Sequence, residues 1–320
     1  MAKEKFDVIV IGDINLDFIL DVPHHPSLID LAGSSNAVRG SNIYYGSGGA
    51  AANTAYALAS LKNKVGFIGT IGDDIFKDIL ISHLCSVSID LSHLIKLKGY
   101  STGLVFRFED NEKKSIIYAS PGPNIFPLTD SDHEYLKQTK CIYISGNLLT
   151  QSKDIGKSIN DAITMVKDMG IFVVLDPGRF WLNKKYSTFI DQLIPLVDLL
   201  MPNLYELQLL SGENEVDKGV NVLFSRGAKQ IVIKMGENGS HFISKEKEII
   251  VPSYHSKVDS PFGAGDVFNA GFIHGWLKGW EVEKSLHFAS ISSALKIQEK
   301  GTQKGIVCEE EVLRVLEQSD

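Results

Sequence analysis

The chain has 320 residues, a hydrophobic fraction of 44% and a formal charge of -7. Its length allows one large domain or two smaller ones, and its composition is that of an ordinary globular protein. The excess of acidic residues argues against nucleic acid as a partner, because a phosphate backbone demands a basic surface.

The sequence indicates neither a membrane protein nor a secreted one. No uninterrupted apolar run is long enough to cross a bilayer, and the charged first residues lack the apolar core of a secretory signal. Cys85, Cys141 and Cys308 are odd in number and far apart, so they predict neither a dense disulfide framework nor a zinc site. We therefore expect a cytoplasmic protein.

Short apolar runs alternate with longer segments of helical spacing along most of the chain. The runs are too short for typical helices and lack clean alternation, as expected for strands that are buried on both faces. They predict strands over residues 6–11, 65–68, 141–144, 171–175, 197–201 and 230–233. Helical spacing predicts helices over residues 50–61, 156–169, 216–226, 265–279, 284–300 and 309–317. The predicted fold class is α/β, a three-layer sandwich with a mostly parallel central sheet.

Two segments do not fit this alternation. Residues 14–45 contain two prolines, a Gly/Ser/Asn-rich stretch and a strand-like run at 41–45. Residues 101–120 hold strand-like runs at 103–108 and 115–119 around a polar loop, which is the pattern of a hairpin. We expect the two segments to form a small antiparallel β lid that closes over a ligand. The main α/β domain then comprises residues 1–13, 46–100 and 121–320.

The first predicted strand ends in a cluster of polar side chains. Asp13, Asn15 and Asp17 alternate along the chain, so they would point to one side if the chain is extended. Such acceptors suit a polyhydroxyl ligand, because α/β proteins bind ligands at the carboxyl ends of their strands. A surface turn is the alternative, since Asp and Asn favour turns. A calcium loop is disfavoured because its supporting Gly and terminal Glu positions do not match.

Paired glycines precede the first predicted helix. Gly48 and Gly49 would let a ligand approach the backbone closely, and Asn53 in the first helical turn could donate and accept hydrogen bonds. A dinucleotide site is the alternative, because the Gly-x-Gly-x-x-Ala pattern that begins at Gly46 resembles its fingerprint. We favour the ligand pocket, since that fingerprint belongs in the first βα turn and the first strand ends well before these glycines.

Two motifs follow later strands. Asn203 and Glu206 share a helical face and could order water around Mg²⁺, which prefers oxygen ligands and keeps much of its hydration. They could also form a reciprocal helix cap, and the two roles are compatible. Lys234 ends a strand where it could reach a phosphate, and Gly236 and Gly239 in the next turn could flank a base or ribose.

The run Gly263-Ala264-Gly265-Asp266 opens another predicted helix. Its small residues would let peptide N–H groups converge on an anion at the positive end of the helix. A carboxylate beside an anion is unfavourable unless it has a task, and taking a proton from a hydroxyl that attacks a phosphate would be one. The alternative is a glycine-rich turn in which Asp266 is an ordinary helix-start acid.

Taken in order, these motifs closely resemble the ribokinase (PfkB-type) family of carbohydrate and nucleoside kinases, over essentially the whole chain. The resemblance implies that the protein binds ATP without a Walker A sequence, and that the lid builds a homodimer contact. It also implies that Asp266 is the catalytic base and that Asn203 and Glu206 organise Mg²⁺ through water. The implied anion hole consists of Gly263, Ala264 and Gly265.

The resemblance also places the two substrates. Lys234 and Gly236 fall where the family meets the phosphates and ribose of ATP. The acceptor pocket corresponds to Asp13, Asn15, Asp17, Gly48, Gly49 and Asn53.

The chain departs from the family pattern at three places. Ser260-Pro261-Phe262 replaces a common Asp-Thr-Thr in a region that shapes a monovalent-cation site in some members, which counts against activation by potassium. Ala50-Ala51 replaces a Lys-Gly that is typical of ribokinases, which counts against ribose. Arg179 follows a segment that loosely matches an acceptor-binding motif, so it could pair with a carboxylate or phosphate of the substrate. A structural ion pair is the alternative for Arg179.

We therefore expect an ATP- and Mg²⁺-dependent kinase that phosphorylates a hydroxyl group of a sugar or related carbohydrate. A nucleoside kinase of the same family is one alternative. A catalytically silent sugar-binding protein is another, and it would bind a sugar without releasing ADP.

Overall fold

The computed structural model describes residues 5–22, 40–110, 115–120, 122–123, 125–126, 128–149, 152–178, 188–301 and 303–318. In these ranges the strands are β1 (Phe6–Ile11), β2 (Asn15–Asp21), β3 (Ile43–Gly48), β4 (Val65–Gly72), β5 (Asp90–Leu97), β6 (Gly103–Glu109), β7 (Ser115–Ser120), β8 (Thr139–Ser145), β9 (Phe172–Asp176), β10 (Leu199–Leu200), β11 (Gln230–Lys234), β12 (Ser240–Ser244) and β13 (Glu248–Val251). The helices are α1 (Ala50–Ser60), α2 (Lys77–Cys85), α3 (Asp130–Leu136), α4 (Gly146–Leu149), α5 (Lys153–Val166), α6 (Thr188–Leu193), α7 (Leu204–Ser211), α8 (Val216–Ser225), α9 (Ala264–Leu277), α10 (Val282–Lys296) and α11 (Glu309–Glu317).

Nine of the described strands form one large sheet in the spatial order β13-β12-β11-β10-β9-β8-β1-β4-β5. Neighbouring strands run parallel from β5 to β11, and β12 and β13 pair antiparallel. Strand β1 lies in the interior of the sheet, where Val8 pairs with Val65 of β4 and with Cys141 of β8. The predicted α/β class with a mostly parallel central sheet is confirmed.

Helices cover both faces of this sheet, because alternate side chains of a strand point to opposite faces. Ile9 and Ile11 of β1 pack in one buried cluster with Ile159 of α5. Val8 and Val10 belong to a second cluster on the other face, which also contains Ala55 and Leu58 of α1 and Phe272 and Ile273 of α9. Each fully buried aliphatic side chain contributes about 1.5–3 kcal/mol of transfer free energy. Strand β1 therefore joins the three layers.

Four described strands form a smaller sheet in the order β3-β2-β6-β7. The outer pairs, β2–β3 and β6–β7, are antiparallel, whereas the central pair β2–β6 is parallel. The predicted hairpin is β6–β7, in which Phe108 pairs with Ile116. The strand predicted at 41–45 lies at Ile43–Gly48, so it reaches the paired glycines. The proposed division of the chain between main domain and lid stays a prediction.

Several elements differ from the expectation. Strand β5 mixes polar and apolar residues because it is an edge strand of the large sheet, and no pattern predicted it. Helix α10 ends at Lys296, so the residues that follow form a turn rather than the predicted last helical turn.

In the described part of the chain, no helix is both long and apolar enough to cross a membrane.

Candidate active site

The predicted site residues meet at the carboxyl edge of the large sheet, where α/β proteins bind ligands. Asp13 follows β1, Asp176 ends β9 and Lys234 ends β11. The first turns of three helices reach the same edge: α1 bonds to Asp13, α7 is bridged to Lys234 through Asn203, and Gly265 of α9 lies next to Lys234. Strand ends and helix N-termini are thereby combined in one site.

Asp266 lies half-buried in the first turn of α9. Gly263 precedes this helix with φ 80°, in the left-handed region that favours glycine, so the chain can turn sharply into the helix. Asp266 Oδ2 accepts a hydrogen bond of 2.8 Å from Asn53 Nδ2 of α1. Burial raises the pKa of Asp266 to about 7, although the Asn53 hydrogen bond lowers it. A carboxylate that titrates near neutral pH suits a general base.

A buried polar network lies behind Asp266. Lys234 Nζ donates to Asp176 Oδ2 at 3.0 Å and to Asn269 Oδ1 at 3.2 Å. Asn269 Nδ2 donates to Asp176 Oδ2 and, at 3.2 Å, to the hydroxyl of Tyr143. The Tyr143 hydroxyl in turn donates to Asp176 Oδ2 at 3.3 Å. Of these four residues only Lys234 was predicted from the sequence, because the other three become its neighbours only in the fold.

The ammonium group of Lys234 faces the predicted anion hole. A Cβ atom placed on Gly265 would lie 3.9 Å from Lys234 Nζ, so the two residues are close neighbours. Burial by itself lowers the pKa of Lys234, but the carboxylates of Asp176 and Glu206 outweigh it, and the pKa is raised. A fixed positive charge therefore stands beside the positive end of α9, and both favour an anion there.

Asn203 and Glu206 form the reciprocal cap that was the alternative to a magnesium role. Glu206 N donates to Asn203 Oδ1 and Asn203 N donates to Glu206 Oε2, both at 2.8 Å. Burial raises the pKa of Glu206 to about 8, and nearby Asp176 adds to this while Lys234 opposes it. The cap uses one carboxylate oxygen of Glu206 and fixes where the other oxygen lies.

Asp13 has a positioning role at the start of α1. Its carboxylate accepts hydrogen bonds from Ala50 N at 2.9 Å and from the Ser145 hydroxyl at 2.7 Å. Gly49, with φ 95°, makes the turn into the helix. These contacts hold the first turn of α1, and with it Asn53, against the end of β1.

Asp17 lies buried in the small sheet, with 2% of its surface exposed. Its carboxylate accepts hydrogen bonds from Asn15 and, at 3.4 Å, from Arg107. A Cβ on Gly48 would lie 2.2 Å from Asp17 Oδ1, which explains why this neighbour in β3 has no side chain. Burial raises the pKa of Asp17 to about 6; Asp13 adds to this and Arg107 opposes it.

A cavity of about 130 Å³ lies between the end of β1 and the small sheet. It brings together the predicted acceptor residues Asp13 and Asn15 and three polar residues that were not predicted as site residues, Thr70, Ser120 and Asn147. No lysine or arginine is among the described residues that line it. A second cavity, of about 90 Å³, lies nearby and includes Asp17 in its lining.

Three other predictions have different outcomes. Arg179 lies outside the described residues. Gly236 and Gly239, with φ 60° and 88°, form the turn that follows β11, so they lie at the same edge as Lys234. The dinucleotide fingerprint is not formed at Gly46, because that glycine lies within β3 of the small sheet and pairs with Asp17.

Comparisons with known proteins match nearly the whole chain. A sequence profile described as pfkB family carbohydrate kinase matches residues 5–307. The 5-dehydro-2-deoxygluconokinase of Clostridium perfringens is 30% identical over 308 residues, which cover 92% of this chain and 88% of that protein. The ribokinase of Haemophilus influenzae is 27% identical over 315 residues, 96% of this chain and 97% of that one. The solved structure of Arabidopsis thaliana ribokinase complexed with ribose and ATP has a TM-score of 0.83 at 23% identity and covers 97% of this chain and 98% of that one.

Proposed function

The chain belongs to the pfkB family of carbohydrate kinases, and we propose that it transfers the γ-phosphoryl group of ATP to a hydroxyl group of a sugar, with Asp266 as the base. One observation carries this assignment of the base. Asp266 lies in the first turn of α9, and burial raises its pKa to about 7. The carboxylate can therefore hold a proton from the acceptor at neutral pH and sits beside a site for the phosphoryl group.

The proposed transfer is a single displacement at the γ-phosphorus. The acceptor oxygen forms a bond to phosphorus as the bond to the ADP oxygen breaks, and the hydroxyl proton passes to Asp266. Negative charge on the transferring group is stabilised by the peptide N–H groups of Gly263, Ala264 and Gly265 and by Lys234. Asn53 holds the carboxylate of Asp266 in place through its 2.8 Å hydrogen bond.

We place ATP on the side of the site formed by Lys234, Gly236 and Gly239, with Mg²⁺ near Glu206. Among the described residues, no cluster of three His, Cys, Asp or Glu side chains could hold a metal ion alone. A single carboxylate, that of Glu206, is enough for Mg²⁺, because this ion keeps several of its waters and is shared with substrate phosphates. When bound, Mg²⁺ would neutralise charge on those phosphates. Glu206 would hold its water through the carboxylate oxygen that the Asn203 cap leaves available.

We place the acceptor in the 130 Å³ cavity, where Asn15 would bind its hydroxyl groups, with Asp17 contributing from the neighbouring 90 Å³ cavity. The relatives are named for two acceptors, 5-dehydro-2-deoxygluconate and ribose. A neutral sugar fits the described lining, whereas a sugar acid would require a cation such as Arg179. The Asp17 carboxylate suits a polyhydroxyl group because an ionised carboxylate is an acceptor for several hydrogen bonds.

ADP release from MgATP tests this proposal against ribose, fructose, 5-dehydro-2-deoxygluconate, inosine and adenosine. We expect one carbohydrate to stimulate release well above the rate without an acceptor. Stimulation by a nucleoside instead would replace the sugar assignment with the nucleoside alternative. A sugar that binds in calorimetry without ADP release would establish a silent binding protein and overturn the kinase reaction.

We also propose that residues 14–45 and 101–120 act as a lid and join two copies of a cytoplasmic homodimer. Ile43 and Tyr45 of β3 are each 66% exposed on this sheet. Exposed apolar side chains of this kind favour a protein contact. Sedimentation of the protein and of an Ile43→Asp/Tyr45→Asp variant tests the homodimer, and the variant should be a monomer. A wild-type protein that sediments as a monomer would refute the dimer.

A further inference from the structure

Lys296 is a buried lysine that the reaction described above does not use. It is the last residue of α10 and has 0% of its surface exposed. Its Nζ donates hydrogen bonds to Gly301 O at 2.5 Å and to Glu299 O at 3.4 Å. A buried ammonium group is costly unless it is paired, so its position needs an explanation beyond the stability of the helix end.

The end of α10 is attached to the segment that leads into the anion hole. Asp259 N and Ser260 N both donate to Ile297 O, at 2.8 and 3.0 Å. The Ser293 hydroxyl donates to Ala264 O at 3.0 Å. Residues on either side of Lys296, through the Ser293 hydroxyl and the Ile297 carbonyl, therefore hold the segment that contains the predicted anion hole.

The turn after α10 is also connected to the base. Gln303 Nε2 donates to Asn53 Oδ1 at 3.1 Å, and Asn53 Nδ2 donates to Asp266. Lys296 binds the carbonyl groups of Glu299 and Gly301, which lie in the same turn shortly before Gln303. Its ammonium group thus organises both structures that the phosphoryl transfer needs, the anion hole and the oriented base.

Several charged groups face Lys296. Burial lowers its pKa to about 8, while Asp266 of α9, Asp259 ahead of the anion hole and Glu299 of the same turn favour the charged form. Arg107 of β6 opposes it. At neutral pH the group is therefore a fixed positive charge inside the protein.

An inorganic monovalent cation does not fit beside this segment. Backbone carbonyl oxygens are the groups that bind alkali cations in proteins. Here the carbonyls of Glu299 and Gly301 already bind an ammonium group, and a second positive charge next to it would be repelled. Mutual repulsion and occupied ligands both exclude the ion.

We propose that Lys296 is a positioning residue whose ammonium group takes the place of a monovalent cation behind the anion hole, so that the kinase needs no added potassium. This inference rests on the proposed function. Removal of the ammonium group should leave the two carbonyls able to bind a small cation. That cation should then restore the geometry of the turn.

Kinetics with and without cations test the proposal. The wild-type kcat should be the same in potassium, ammonium or tetramethylammonium chloride at constant ionic strength. Lys296→Met should lose on the order of 10- to 100-fold in kcat, the effect of a misplaced catalytic group. Ammonium or potassium should restore much of this activity, and the large tetramethylammonium ion should not. Lys284→Met provides the control, because Lys284 is an exposed residue of the same helix.

A thermal melt supplies a readout that needs no acceptor and no turnover. Ammonium or potassium should raise the melting temperature of Lys296→Met relative to tetramethylammonium, and should leave the wild type and Lys284→Met unchanged. Potassium-dependent wild-type activity or melting would overturn the inference while leaving the kinase assignment intact. If Lys296→Met does not fold, Lys296→Arg must remain independent of potassium; potassium dependence in that variant would also overturn it.

Discussion

The large sheet and the small sheet are held in the molecule by different kinds of contact. Behind the active-site edge of the large sheet, the buried residues Asp176 and Asn269 are bonded to each other and to Lys234, whose side chain is 12% exposed. The small sheet is joined to the body by Lys300, which pairs with Asp21 of β2 and Glu109 of β6. The Lys234–Asp176 pair belongs to a network of hydrogen-bonded side chains, and satisfied networks of this kind rigidify a structure. The Lys300–Asp21 pair is more exposed, with 24% of the Asp21 side chain accessible, so it contributes less. The catalytic edge is therefore cross-linked at several points, whereas this contact between the small sheet and the body depends on one lysine.

The largest effect should come from Asp266→Asn, which removes the proposed base from the catalytic edge. The kcat should fall by about 10²–10⁴-fold, the usual contribution of general acid–base catalysis. Steady-state kinetics with the identified acceptor measures it. A folded Asp266→Asn protein that turns over at the normal rate would show that the base lies elsewhere.

The same substitution should not reduce stability at neutral pH. Burial raises the folded-state pKa of Asp266 above its unfolded value, so the folded state binds the proton more tightly. The carboxylate is therefore destabilising as the pH rises from about 4 to about 7, and neutral Asn removes that cost. A melting temperature at pH 8 that is well below that of the wild type would contradict this.

Lys234→Met should break the rigid network itself. It leaves Asp176 buried without its cation, and removal of one partner of a buried pair costs about 3–5 kcal/mol. Urea unfolding measures the loss. Lys229→Met is the matched control, since Lys229 pairs with Asp198 at a half-exposed position and should contribute under about 1 kcal/mol. If both variants lose the same free energy of unfolding, the Lys234 pair contributes no more to stability than the exposed Lys229 pair.

The pH dependence of kcat/KM tests whether Asp266 is the group that accepts the proton. Because the protonated form of Asp266 cannot accept a proton, activity should fall as the pH drops through about 7. Asn53→Ala removes a hydrogen bond that lowers this pKa, so the acid limb should move to higher pH. Asn160→Ala, at the surface of α5, should leave the limb where it is. If the acid limb of the kcat/KM profile stays at the same pH in Asn53→Ala, Asn53 does not influence the pKa of the titrating group.

The smallest effect should come from Lys300→Met, which removes the ion pairs between lid and body. The KM for the acceptor should rise by a few fold, since the lid keeps its register through β2 and β6 and loses only the contacts of Lys300 with Asp21 and Glu109. ATP hydrolysis without an acceptor should increase, because the lid would exclude water less well. Lys137→Met removes an exposed pair on α3 and serves as the control. If neither the KM for the acceptor nor the rate of ATP hydrolysis changes, these ion pairs do not control the lid.

Local patterns were sufficient to predict most of the framework. The continuous apolar run of β1 indicated a strand buried on both faces, and Gly263 to Asp266 marked the start of α9. The resemblance to a kinase family that these motifs supported is confirmed by the match over residues 5–307. The roles of the individual site residues stay predictions, although the fold brings Asp266, Asn53 and Lys234 to the same edge.

Other features had no local signal. Tyr143, Asp176 and Asn269 meet only because β8 and β9 end, and α9 begins, at the same edge, and nothing near each residue in the chain indicates the others. Lys296 was included in a predicted helix, where a lysine ordinarily indicates an exposed face. Its burial depends on the turn that folds back over it, and that turn could not be distinguished from a further helical turn.

The parallel pairing of β2 with β6 has a consequence for how the molecule assembles. Asp17 pairs with Val105, and the chain between them forms α1, β4, α2 and β5 of the body. A contact between residues so far apart carries a large loop-closure cost until the intervening chain is folded. We therefore expect the small sheet to be completed late in folding. Exchange of the lid between relatives would have to transfer both segments together, since either one alone would lose the register that aligns Asp17 with its partner.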